Sequence, residues 1–185
     1  MTLFLILVLY AALVLIWIVC FSFLILMTYG LVTTRAPYVP IPQYVVDEVK
    51  KVMPLKAGDT FYDLGSGDGR VIATLAMAYP QAIAIGVEKS PLPYLLTQIR
   101  FLRMRVKNAK TLFKSFFHVP LNDATHIFVY LFPEVMEKLL PKFEAELKGG
   151  TRVISCDFPF KTRKPQETIP VGTGSRKHTL YVYEF

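Results

Sequence analysis

The chain has only two cysteines, Cys20 and Cys156, and only three histidines in 185 residues. Two distant thiols exclude a disulfide framework and any paired-cysteine metal site, and they suit a reducing compartment. His118, His126 and His178 show no metal-ligand spacing, so no metal is expected and each histidine reads as structural. Charge is absent altogether from residues 1–34. There is no Gly-Lys-Ser/Thr run, which excludes a P-loop, and no internal repeat.

The uncharged segment accounts for the high hydrophobic fraction of 53%. Without it the composition is that of an ordinary globular domain. Its apolar run from Leu3 to Leu31 exceeds the h-region of a signal peptide and the roughly 20 residues a spanning helix needs. Tyr10 and Tyr29 are spaced as two interfacial belts. We therefore expect residues 1–34 to be a single transmembrane anchor. Arg35, Lys50 and Lys51 follow it and no basic side chain precedes it, which places the remaining chain on the cytoplasmic side; the mitochondrial inner membrane is the alternative. Residues 35–42, with prolines at 37, 40 and 42, read as a stiff extended strap reaching about 25 Å.

Residues 43–185 carry nearly all the charge of the chain, 21 Lys+Arg against 14 Asp+Glu in total, a net +7. Such a domain suits an anionic membrane surface, nucleic acid or an acidic substrate. Arg100, Arg103 and Lys107 fall on one helical face, but no nucleic-acid-binding module accompanies them, so nucleic acid is an unlikely partner. Hydrophobic periodicity predicts helices over 43–53, 70–79, 91–106 and 133–147. It predicts strands over 59–64, 82–87, 109–113, 126–131 and 151–156, then two more in 167–185. On the helix over 91–106, Leu95, Ile99, Leu102 and Val106 form the expected core stripe, and Pro141 is expected to kink or break the helix over 133–147. The alternation predicts an α/β fold: a Rossmann-like, mostly parallel sheet preceded by one transmembrane helix.

The most informative stretch is Asp63-Leu64-Gly65-Ser66-Gly67-Asp68-Gly69-Arg70, between a predicted strand and a predicted helix. Arg70 occupies the place of the last glycine in a dinucleotide fingerprint. The acids Asp63 and Asp68 repel a phosphate and attract an ammonium. Glu88, at the tip of the next strand, is placed to bind both hydroxyls of a ribose. An ammonium-bearing amino acid joined to a ribose is S-adenosylmethionine, so Asp63, Gly65, Ser66, Gly67, Asp68, Gly69 and Glu88 are the expected cofactor residues.

This octapeptide with Glu88 resembles motifs I and II of the class I S-adenosylmethionine-dependent methyltransferases. A narrower resemblance runs through most of the chain: an N-terminal anchor, Tyr38-Val39-Pro40-Ile41-Pro42, the octapeptide, Tyr130-Leu131-Phe132-Pro133, and Ser155-Cys156-Asp157-Phe158-Pro159-Phe160. This order is similar to the membrane-anchored protein lysine methyltransferases of the ATP synthase c-subunit and adenine nucleotide translocase family. The resemblance implies a protein-lysine N-methyltransferase acting on a membrane-associated protein. The alternatives are a methyltransferase of a lipid or membrane-soluble small molecule, and a catalytically silent cofactor-binding scaffold. Tyr130 and Phe132 are the candidate acceptor-site residues, and Tyr38, Pro40 and Tyr44 the candidates to cover the cofactor or bind substrate. Asp157 stands where family members tend to carry arginine. No acid follows the third strand, which leaves Asn122 and Asp123 as candidates for the adenine contact.

Overall fold

A computed structural model describes residues 1–33, 39–174 and 177–185, with backbone alone at 26–27 and 29–33. It divides into two compact units, residues 1–37 and 38–185. The first contains α1 (Thr2–Thr33), in which Thr2–Ile25 is long and apolar enough to cross a membrane. Thr28 folds its hydroxyl back onto the carbonyl oxygens of Leu24 and Ile25, which removes an exposed donor from the apolar surface.

The second unit opens with α2 (Gln43–Val52), whose Val45, Val46 and Val49 are buried at i, i+1 and i+4. Then β1 (Thr60–Leu64), α3 (Arg70–Ala78), β2 (Ile83–Glu88), α4 (Pro91–Met104) and β3 (Ala109–Phe113) alternate. β4 (His126–Val129), α5 (Pro133–Glu146) and β5 (Arg152–Cys156) continue the pattern, and β6 (Glu167–Val171) and β7 (His178–Glu184) close the chain. The sheet order is β3-β2-β1-β4-β5-β7-β6. The first five strands are mutually parallel, and β7 runs antiparallel to both neighbours. The fold is the Rossmann-like α/β sheet that the alternation predicts.

Alternation along each strand divides the core. Phe61, Phe128 and Ile154 face α2 and α3, while Tyr62, Ile127 and Val153 face α5. Ile127, Phe128 and Val129 are all essentially solvent-free, as their unbroken apolar run requires of a strand covered on both faces. Chain reversal in the sheet centre falls between β1 and β4, where the strand order turns back, and that is where a crevice opens at the carboxyl ends of parallel strands.

Two expectations are corrected. Leu95, Ile99 and Leu102 are exposed, Leu102 by 79%. α4 instead buries Pro93, Thr97 and Phe101, at i, i+4 and i+8, because Phe101 fills the core and Thr97 has a polar task at the glycine loop. The break allowed for at Pro141 does not occur: Pro141 lies inside α5 without ending it. A proline removes one amide donor, and burial of Met136, Leu139, Leu140 and Phe143 on this helix outweighs that loss.

Candidate active site

The turn from β1 to α3 is a backbone cradle. The amides of Gly65 and Ser66 donate to the carbonyl of Val87 on the neighbouring strand (2.8 and 3.1 Å). Gly69, at φ +72°, leads into α3, and a Cβ there would lie 2.5 Å from Cγ2 of Thr97. Only glycine satisfies both the left-handed backbone and that approach. Thr97 in turn donates its hydroxyl hydrogen bond to the carbonyl of Gly67 (2.9 Å), pinning the loop from α4. Glu88 holds the loop from the other side. Its Oε2 accepts from the amide of Gly67 (3.0 Å) and its Oε1 from the amide of Ser90 (2.7 Å).

The two acids of the loop have different fates. Asp68 is taken up by guanidinium groups: Arg70 Nη2 lies 2.8 Å and Arg100 Nη2 2.6 Å from Oδ2. Burial alone would raise the Asp68 pKa, but the hydrogen bonds and charges of Arg70 and Arg100 overcome it and hold the carboxyl below its ordinary range. Arg70 also donates to the carbonyl of Ile41 (2.7 Å), tying the end of the proline-rich segment to the loop. The expectation that both acids face a cationic ligand is therefore corrected. Asp68 is a scaffold for the loop, and Arg100 belongs to this buried network rather than to a free basic face.

Asp63 is the acid left over. It is 3% exposed, and its Oδ2 has no hydrogen-bond partner. Burial first, then the charges of Glu88 and Asp68, push its carboxyl well above the ordinary value. Ser66 Oγ is likewise buried and unpartnered. An orphaned acid among other acids, beside an orphaned hydroxyl and a glycine cradle, fits the ammonium-bearing amino-acid end of S-adenosylmethionine. Glu88, already oriented by two amides, fits its ribose.

Asn122 and Asp123 do not belong to this site. They precede β4, at the amino-terminal edge of the parallel strands, opposite to the glycine loop. Asn122 donates to the carbonyl of Glu146, and Asp123 accepts from the Tyr62 hydroxyl (2.9 Å). The adenine contact expected of them is excluded by topology. The residues that follow β3 at the correct edge are Lys114 and Ser115.

Beside the cradle, the carboxyl ends of β4 and β5 and the amino end of β7 form an aromatic corner. Leu131 touches the loop, since a Cβ on Gly65 would lie 3.0 Å from its Cδ2. Tyr130 stacks on Phe158 (centroids 6.3 Å), and Phe132 tilts against the same ring (5.8 Å). Burial, then the nearby Asp157 carboxylate, pushes the Tyr130 phenol up to about 12. Tyr44 reaches this corner from α2, its ring 5.9 Å from His178. Tyr44 therefore stands at the aromatic corner. Pro40 is exposed, and Tyr38 lies outside the described residues. Cys156 is fully buried, and burial followed by Asp157 raises its thiol pKa, so it is a core residue and not a nucleophile.

Sequence reasoning missed Thr97, Arg100 and the Asp157–His178 pair. Thr97 had a signal, a lone hydroxyl on the face shared with Pro93 and Phe101. The pair had none, because its members are 21 positions apart and meet only through the register of β5 with β7.

Comparison with known proteins now decides the family. Residues 63–167 match the model of the ANTKMT methyltransferase domain. The chain belongs to this family. It is 37% identical over 150 residues to a protein-lysine N-methyltransferase of Saccharolobus islandicus, covering 80% of this chain and 93% of that one. It is 32% identical over 150 residues to the ATP synthase c-subunit lysine N-methyltransferase of Rattus norvegicus, covering 80% of this chain and 66% of the rat protein. Among solved structures, an RNA methyltransferase from Salinibacter ruber in complex with S-adenosyl-L-homocysteine superposes with a TM-score of 0.72 at 29% identity, covering 79% of this chain and 93% of that one. The protein is an S-adenosylmethionine-dependent methyltransferase.

Proposed function

We propose that this methyltransferase acts on a lysine of a membrane-associated protein, and that its N-terminal helix holds it to the same membrane. The aromatic corner carries the reading. A lysine ε-ammonium is attracted to aromatic faces, and its deprotonation is favoured where it is stripped of water. Tyr130, Phe132 and Phe158 provide such faces directly beside the cradle, joined to it through Leu131. The names of the archaeal and rat relatives support a lysine acceptor, and the uncharged 24-residue span Thr2–Ile25 supports the membrane.

When bound, the cofactor would supply a methyl group activated by its attachment to a sulfonium. The chain's own residues do the rest. Asp63 and Ser66 would hold the amino-acid end and Glu88 the ribose, with Glu88 oriented by the amides of Gly67 and Ser90. Tyr130, Phe132 and Phe158 exclude water and orient the acceptor nitrogen. Holding two reactants in line in this way is worth roughly 7–11 kcal/mol of barrier.

The test uses the full chain in vesicles with methyl-radiolabelled cofactor and membranes of a strain deleted for its gene. Label recovered in lysine after protein hydrolysis is the expected result. Label in lipid, in a small membrane-soluble product or in RNA overturns the lysine reading, and no incorporation at all would leave a cofactor-binding scaffold.

A further inference from the structure

At the edge of the aromatic corner, two side chains from β5's end and the start of β7 are locked together. His178 Nδ1 lies 2.7 Å from Asp157 Oδ2. Asp157 is held on all sides: its Oδ1 accepts from the amide of Thr179 (2.9 Å) and its own amide donates to the carbonyl of Thr179 (2.7 Å). Its backbone sits at φ +64°, a left-handed conformation uncommon for a residue with a side chain. Such conformations persist where surrounding structure over-determines them, and they cluster at functional sites. A carboxylate can only accept a hydrogen bond, so the proton of a neutral imidazole is on Nδ1 and Nε2 is the nitrogen able to take another. The imidazole borders the aromatic corner: its ring lies 6.4 Å from that of Tyr130 and 5.9 Å from that of Tyr44.

We propose that Asp157 and His178 form the proton-accepting dyad of the acceptor corner. This rests on the lysine reading above. A lysine reaches the enzyme as an ammonium, with no lone pair to attack a methyl group. One N–H bond of the ammonium breaks, its electron pair stays on nitrogen, and the proton passes to Nε2 of His178. The nitrogen lone pair then forms the new bond to carbon, while the carbon–sulfur pair leaves with sulfur. The imidazolium returns its proton to solvent, so each turnover releases one proton. Asp157 is the positioning residue, which fixes the tautomer and stabilises the imidazolium. Among the described residues, the titratable groups facing this imidazole are Asp157 and Cys156 from β5 and its end, Tyr130 from the end of β4, and Tyr44 from α2, with the exposed Lys177 next along the chain. The Cys156, Asp157 and His178 ligand atoms lie within 4.8 Å of one another, so the third arm below separates proton transfer from metal binding.

The test has three arms on the full chain in vesicles. In the first, nitrogen NMR of the wild-type imidazoles reads the His178 tautomer. The neutral ring is expected with its proton on Nδ1, and a proton on Nε2 overturns the proposal. In the second, label transfer to the protein of deletion-strain membranes is followed against pH. His178→Gln should lower kcat by roughly 10²–10⁴-fold at neutral pH with little change in KM, and recover at alkaline pH, where the amine loses its proton unaided. Asp157→Asn tolerates the left-handed backbone, keeps an acceptor for Thr179, and presents an amide donor to Nδ1. It should leave cofactor affinity unchanged by calorimetry and shift the proton to Nε2 with a comparable loss of kcat. Label in lysine with an unaltered His178→Gln pH profile overturns the dyad alone, whereas label in lipid or RNA overturns it together with the lysine reading. The third arm is metal analysis: stoichiometric zinc with activity lost on chelation overturns the dyad in favour of a metal site.

Discussion

Replacing Asp63 by asparagine should do two opposite things, and the opposition is the test. In the ligand-free protein Asp63 is a buried carboxyl with an unpartnered oxygen, near Glu88 and Asp68, and its pKa is raised by burial and by those two charges. An acid whose folded pKa is raised binds its proton more tightly folded than unfolded. Its contribution to stability is therefore full below the unfolded pKa and is lost as pH rises through the folded value. Above that window the charged side chain burdens the fold, and asparagine, uncharged and nearly isosteric, does not. The Asp63→Asn protein should melt higher than the wild type without cofactor. The gap should open as pH rises past the ordinary carboxylate range and level off above the raised pKa. With cofactor the order reverses. The variant loses a charge-assisted contact worth about 1.5–3 kcal/mol, which weakens binding roughly 10- to 150-fold. Thermal melts across pH, with and without S-adenosylmethionine, and calorimetric titration at neutral pH read both effects. A ligand-free variant less stable than the wild type at neutral pH, or one that binds the cofactor undiminished, refutes the assignment of Asp63 as the acid awaiting an ammonium.

Gly69→Ala should destabilise the domain by about 1–3 kcal/mol through overpacking against Thr97, in addition to left-handed strain. Gly150→Ala, at φ +89° with nothing within 4 Å of the added methyl, is the strain-only control and should fall well short of it in denaturant melts. Arg100→Leu removes one of the two guanidinium groups that depress the Asp68 pKa. A depressed carboxylate stabilises above its unfolded pKa and loses that contribution as pH falls through the folded one, so this variant should begin acid unfolding at a higher pH than the wild type. Deleting residues 1–34 should leave a folded, cofactor-binding domain, because both hydrophobic core clusters lie between Ile41 and Tyr183. It should nevertheless label its membrane acceptor far more slowly, since a shared membrane supplies effective concentration. Equal rates for the truncated and full chains in vesicles would remove the main argument for a membrane acceptor.

The elements most readily read from the sequence are those whose signal is local. The strand–glycine–helix turn at residues 60–70 is contiguous, and its conformation is dictated by residues that only a tight turn tolerates. β4 is readable because three successive apolar residues leave no exposed face. α4 is not readable in the same way. Its periodicity is real, but a stripe of Leu95, Ile99 and Leu102 says only that one face is apolar, and tertiary packing chose the face with Thr97 and Phe101. What covers the other face is not written in the periodicity. Asn122 and Asp123 mislead because sequence proximity to a strand does not say which end of it a residue occupies. The paired acids of the loop look alike in sequence, and the guanidinium groups of Arg70 and Arg100 separate a scaffold, Asp68, from the proposed binding group, Asp63.

The two halves of the site are built differently, and this bears on how the fold changes acceptors. The proposed cofactor half comes from β1, β2 and the turn between β1 and α3, where two of the acids also brace the loop: Glu88 fastens Gly67 and Ser90, and Asp68 fastens Arg70 and Arg100. A substitution there disturbs the loop as well as the ligand. The proposed acceptor half comes from the ends of β4, β5 and β7, at Tyr130, Phe158 and His178, separated by 28 and 20 positions of sequence. Tyr130 and Phe158 lie beyond the paired residues of β4 and β5, and His178 is the first residue of β7, at the end of its ladder with β6. Exchange at those ends can alter the chemistry of the acceptor while the cofactor cradle stays intact, which is how one fold serves many acceptors. Asp157 illustrates the point. It follows the last residue of β5, and in the proposed dyad its carboxylate acts through a histidine that the antiparallel strand β7 delivers to the same edge of the sheet.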